Sequence, residues 1–242
     1  MPSAREHLDS TFFSQAFPRE ESSSPLHLET VAAAYAFAEQ GIAVLSDLRE
    51  KRSLIFYGSL GDTLGIAPSG AVHEVDSIWE EELLSRIPEK DLEGKQLLEI
   101  RLVDFVGRNG MGWMLDGVLP MEDSKGESRL VRHRIRYFPE GNSIRYALCL
   151  YNPAEMVVEA VFEDLLSGKR VPVGNVGTKG ILSERELEVL RMIDNGSSSK
   201  VIASSLGISI HTVSRHRQNI LSKFRAGNSA QACKIAKGLG IL

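Results

Sequence analysis

No stretch of the chain approaches the roughly 18 consecutive apolar residues that a membrane-spanning helix requires, and the opening MPSAREHLDSTFF lacks the apolar core of a secretory signal. Cysteine is scarce. Cys149 and Cys233 are the only two and stand far apart, which leaves no basis for a disulfide framework or a zinc cluster. A reduced, cytoplasmic protein is expected. A glycine-rich phosphate loop, metal-ligand spacing and a nucleophile elbow are also missing. The residues with catalytic potential, His73, Glu99, Asp104, His133 and Cys149, are scattered, so neither an enzyme nor a resident cofactor is expected.

What the chain does have is an uneven charge. Its net charge of -4 hides 10 Lys and Arg against 4 Asp and Glu from Lys179 onward, with 18 against 28 in the remainder. A basic module joined to an acidic one is the electrostatic footprint of a nucleic-acid binder with a partner domain. A length of 242 residues with 43% hydrophobic content suits two cores. SGKRVPVGNVGTKG, Ser167 to Gly180, is rich in small residues and lacks apolar periodicity, so it reads as a linker. The expected division is 1–166, a linker over 167–180, and 181–242.

The basic end is legible helix by helix. Ser183 followed by Glu186 fits a capping box, and Leu187, Leu190 and Ile193 make the buried stripe of a first helix that closes at Asn195-Gly196. VIASSL is a short second helix, and Gly207 supplies the sharp turn after it. Ser209 caps a third helix beginning near Ile210. At 100° per residue, Val213, Arg217, Ile220 and Phe224 share one face of that helix, while His211, Ser214, Arg215, Gln218 and Ser222 share the other. A fourth helix is expected from about Ser229 to Lys237. The second and third helices form a helix-turn-helix over about 199–218.

The residues LSERELEVL, NGSSSKVIA, LGISIHTVSRH and NILSKF resemble the LuxR/GerE-type DNA-binding domain of bacterial transcription regulators. The resemblance implies an all-α four-helix domain that docks its third helix in the major groove and pairs through its fourth, with Thr212 and its neighbours on phosphate and base edges. Ser214 stands where that family often carries Lys or Arg, and Gln218 where another basic residue is frequent. Arg215 and Gln218 therefore become the expected base readers, with Ser214 and His211 beside them. Lys200, Thr212, His216, Asn219 and Lys223 are the expected phosphate contacts. Arg217, at the rim of the core face, is expected to pair with Glu186 or Glu188. Ala230, Cys233 and Ala236 offer a small-residue face for pairing with a second copy.

The acidic part reads as a strand pair at Gly41–Arg49 and Ser53–Gly58 around a charged turn, and Arg129–Phe138 alternates with Val131, His133, Ile135 and Tyr137 on one face. A turn at Pro139–Asn142 leads to a further strand, SIRYALCLYN, and helices are expected over IWEEELLSRI and PEKDLEGKQLLEIRLVDFV. Two strands, helices, then more strands in an antiparallel sheet is the order of a PAS-type sensor fold, and SIWEEELLSRIPEKDLEGK is similar to a helix and turn found in many PAS domains. The expected class is α+β: a PAS-like sheet with helices, followed by the four-helix domain. A phosphorylated receiver fits less well, because Asp47 lacks an acidic pair and reads as a turn residue. Trp79, Trp113 and Tyr57 do not reproduce the spacing of autoinducer-binding domains. His133 reads as a packed or partly exposed strand residue rather than a catalyst. The function expected is a transcriptional regulator that binds double-stranded DNA as a homodimer, controlled by a small-molecule or protein signal of unknown identity. The alternative is a protein-interaction module that uses the same fold for docking only.

Overall fold

The structure is a computed structural model that describes residues 3–18, 26–173, 182–224, 226–238 and 242. Two helices, α1 (Ala4–Phe13) and α2 (Leu26–Glu39), precede a hairpin of β1 (Ile42–Asp47) and β2 (Arg52–Tyr57). Helix α3 (Ser59–Leu64), strand β3 (Val72–Val75), α4 (Glu81–Leu84) and the long α5 (Glu89–Asn109) follow. Strands β4 (Trp113–Glu122), β5 (Ser128–Glu140) and β6 (Ser143–Pro153) then form a meander, and β7 (Val161–Asp164) and β8 (Arg170–Pro172) a second hairpin. All eight strands join one antiparallel sheet in the order β3-β2-β1-β6-β5-β4-β7-β8. Four helices close the chain: α6 (Glu184–Asp194), α7 (Ser199–Leu206), α8 (Ile210–Lys223) and α9 (Ser229–Gly238). The architecture is therefore mixed α+β. None of the described helices is long and apolar enough to cross a membrane.

Helices on both sides of the sheet explain its sequence patterns. Ala32 and Ala36 of α2 pack with Ala43, Leu45, Tyr146 and Leu148 on one face. The other face, with Val44, Ile135, Tyr137 and Tyr151, joins the main core with α1 and α5. Strand β1 is buried throughout, as its unbroken apolar run requires. In β5, Val131, His133, Ile135 and Tyr137 are buried while the intervening arginines are partly exposed, so the alternation marks a strand with one well-covered face. Asp47, expected as a turn residue, is the last residue of β1 and caps the turn that follows. Its Oδ1 accepts the amides of Arg49 and Glu50 at 3.0 Å each, and its Oδ2 accepts Arg145 Nη2 at 2.8 Å.

Three expectations are corrected. IWEEELLSRI is helical only over Glu81–Leu84, because Ile78 and Trp79 are buried ahead of the helix and Pro88 denies the preceding residue helical backbone. The turn expected over 139–142 is tighter. Pro139 stays in β5 opposite Ile144 after a register shift, where a missing amide is tolerated, and Gly141 at φ 60° makes the reversal. The segment expected as linker begins as structure, because Arg170 pairs with Glu163 and Val171 with Phe162; residues 174–180 lie outside the described residues.

Candidate nucleic-acid interface

The capping chemistry read from the sequence is present. Ser183 Oγ accepts Glu186 N at 3.2 Å, and Glu186 Oε2 accepts Ser183 N at 2.8 Å, which closes the box at the start of α6. Ser198 and Ser209 cap α7 and α8 through the amides of Val201 and Thr212. Gly207, at φ 63° and ψ 34°, ends α7 in the left-handed region, where a side chain would be strained. The chain reverses at that residue and leads into α8, which packs on α7.

One face of α8 is fixed in the core: Val213, Ile220 and Phe224 are 0%, 1% and 0% exposed. On the other side His211, Ser214, Arg215 and Gln218 are exposed, while Thr212, His216, Asn219 and Lys223 are half-buried and Lys200 on α7 is exposed. Thr212 Oγ1 lies 2.8 Å from Ser209 Oγ, and Ser214 Oγ donates to Ile210 O at 3.1 Å. The exposed row of His211, Ser214, Arg215 and Gln218 is polar, with Arg215 at its centre and Asp or Glu nowhere in α8.

Some expected roles shift. Arg217 does not pair with Glu186 or Glu188; it donates to Ser199 Oγ and Ser229 Oγ at 2.9 Å each and so ties α8 to α7 and α9. Glu186 is instead held by Lys223 at 2.6 Å, so the side chain expected on phosphate is committed to an internal pair. The pairing face is also partly consumed. Ala232, Cys233 and Ala236 are buried within the helices' own core, leaving only Ala230 of the expected trio exposed.

Burial works to raise the Glu186 carboxyl, but the bonds from Lys223 and the Ser183 amide outweigh it and hold the group below its ordinary value. A depressed carboxylate stabilises the fold above its unfolded pKa, about 4.5, and that contribution is lost as pH falls through the lower folded value. Thermal unfolding followed from about pH 6 to pH 3 should therefore show acid destabilisation of α6–α9 that Glu186→Gln reduces. An unchanged acid limb in that variant would remove the Lys223 pair from the account.

A second polar group lies beneath the sheet, and sequence reasoning did not assemble it. Glu80, Lys95, Glu99, His133, Tyr137, Cys149 and Tyr151 are all buried. Lys95 Nζ bonds Glu99 Oε1 one turn along α5. Burial opposes the Lys95 charge, yet Glu99, Cys149 and Glu80 together raise its pKa. Burial raises Glu80 and Cys149, and burial with the Lys95 charge keeps His133 neutral. The His133 ring stacks on Tyr151 at 4.7 Å between centroids. Neither His133 Nε2 nor the Tyr151 hydroxyl has a hydrogen-bond partner among the described residues. The sequence signal was Lys95 and Glu99 at i, i+4 amid apolar neighbours, a pair that reads equally well as a solvated face.

Residues 180–236 match the family model described as bacterial regulatory proteins, luxR family. The C-terminal helices belong to this class, the GerE/LuxR-type helix-turn-helix domains. Among curated relatives, the transcriptional regulatory protein FixJ of Azorhizobium caulinodans is 38% identical over 60 residues, 25% of this chain and 28% of that protein. The quorum-sensing regulator RhlR of Pseudomonas aeruginosa is 44% identical over 61 residues, 25% of each. The match thus spans about a quarter of the length of these relatives. A solved structure of the Vibrio cholerae VqmA dimer aligns over 88% of each chain at 17% identity, with a TM-score of 0.32 that is too low to carry an inference.

Proposed function

We propose that the chain is a sequence-specific DNA-binding transcriptional regulator in which residues 181–242 bind DNA and residues 1–166 form a PAS-like domain that senses a signal. The observation that carries this reading is the third helix of the luxR-type segment. It is capped by Ser209, anchored by Val213, Ile220 and Phe224, and turns Arg215 and Gln218 outward. An α-helix with that anchoring fits the major groove, where Arg reads guanine and Gln reads adenine through bidentate bonds. The PAS-like reading is supported by element order: the β1–β2 hairpin, helices, then the β4–β6 meander in one antiparallel sheet. A footprint of the purified chain on genomic DNA is the test. Protected sites sharing no sequence would remove specific recognition, and no retention of any fragment in a gel would favour the docking module.

One such domain neutralises few phosphates, so useful affinity requires two copies on half-sites about 10 bp apart. The dimer should show a log-log salt slope of about -5 to -9 for roughly 6–10 phosphates. A slope near half that value would indicate a monomer. Because Cys233 is packed inside its own helices, Cys233→Asp should unfold α6–α9 rather than merely weaken pairing. Ala230→Asp is the variant that tests α9 as an interface.

A further inference from the structure

A cavity of about 550 Å³ lies between α5, β4 and β5, with α9 at its rim. Its walls are largely apolar, with Leu98, Leu115, Leu119 and Ile235 among them. Two glycines also line it where neither backbone nor packing asks for glycine. Gly94 sits inside α5, outside the left-handed region, and a Cβ built on it would meet nothing within 4 Å. A helix-interior glycine costs about 0.5–1 kcal/mol against alanine. Gly117 lies inside β4, and its Cβ would make only an ordinary 3.4 Å contact with Ala160. At Gly94 the missing side chain leaves open volume, and at Gly117 it leaves room short of Ala160. Polarity enters where Lys95 and His133 line the same cavity. These residues are 5% and 3% exposed, and His133 Nε2 has no hydrogen-bond partner among the described residues.

We infer that this cavity is a binding site for a small, uncharged, mostly apolar molecule with one hydrogen-bonding end, which meets His133 and Lys95. The inference rests on the sensor reading above and adds to it a ligand class and a route to DNA. Charge selects the class. Lys95 is already matched by Glu99 and Lys237 by Asp194, which leaves Asp91 and Glu159 against Lys234 among the charged residues that line the cavity. The surplus carboxylate disfavours an anion and a cation would have to lie beside Lys95 at the polar end, whereas an apolar body gains by leaving water. A neutral imidazole offers one donor or acceptor to a hydroxyl, carbonyl or ring nitrogen. The rim supplies the coupling. Gln231, Lys234 and Ile235 belong to α9, which packs on α6 and α8, so a bound molecule touches this helical segment and its binding energy depends on where the segment sits.

The test uses the full chain with 1-octanol and octanoate as probes at about pH 8, where octanoate is ionised, read by titration calorimetry and ligand-observed NMR. Octanol should bind saturably at one site, and octanoate at least about tenfold more weakly. Gly94→Leu should weaken octanol at least about tenfold while keeping or raising the Tm. Should that variant misfold, Gly94→Ala must weaken octanol by a smaller factor with the Tm raised. Ile235→Ala should weaken it about threefold. Absence of saturable octanol binding, or wild-type affinity in Gly94→Leu, overturns the site. Octanoate binding as tightly as octanol overturns the ligand class. DNA affinity is read separately, so octanol that binds without changing it confirms the cavity and refutes sensing through this site.

Discussion

Replacing Arg215 by alanine is expected to cost about 1–3 kcal/mol at the cognate site, a factor of roughly five to 150 in affinity, and to relax discrimination at one base pair. Gln218→Ala should behave alike at a neighbouring position, since both side chains are exposed on the side of α8 opposite Val213 and Phe224. Lys200→Ala is the control. As a phosphate contact it should weaken every sequence similarly and lower the salt slope by about one. Competition binding against the footprinted operator and shuffled DNA gives all three numbers. Wild-type operator affinity in Arg215→Ala at physiological salt would falsify the groove-facing assignment.

The other large effect is expected inside the sheet. Lys95→Met leaves Glu99 buried without its cation, and removing one member of a buried pair costs about 3–5 kcal/mol. For a chain of this size the Tm should fall on the order of 10 °C. The double variant Lys95→Met/Glu99→Leu should recover most of that loss, because an apolar pair of similar volume carries no uncompensated charge. Thermal unfolding of the three variants checks this. A double variant no more stable than Lys95→Met would mean that Glu99 holds other groups in place.

The contrast between these two sites explains what the sequence could disclose. In the C-terminal segment, local signals and tertiary packing agree: Ser183, Ser209 and Gly207 fix helix ends within a few residues, and the spacing of Val213, Ile220 and Phe224 settles which face is buried. Arg215 and Gln218 could be placed from angles alone. Lys223 could not, because its partner Glu186 lies 37 positions earlier and only the fold brings them together. The sheet was harder for the same reason. Strand β5 announces itself by alternation, but β4 contains Gly117 and Pro120 and pairs with β7, whose four residues carry no periodic signal. His133, Lys95 and Cys149 come from two strands and a helix, and no spacing rule links them. Of that cluster only the shared strand face of His133 and Tyr137 was legible in the sequence.

Helix α5 has a mechanical consequence. At 1.5 Å per residue its 21 residues form a rod of about 31 Å. Lys95, at the cavity, and Arg101 lie on it about 9 Å apart along the axis. Arg101 is buried, which lowers its pKa to about 10, and it donates to the carbonyl of Val173. Val173 is the last described residue before the chain runs on toward α6. An intact helix does not shorten, so an axial shift of the rod at the cavity arrives undiminished at Arg101 and at the Val173 carbonyl that it holds.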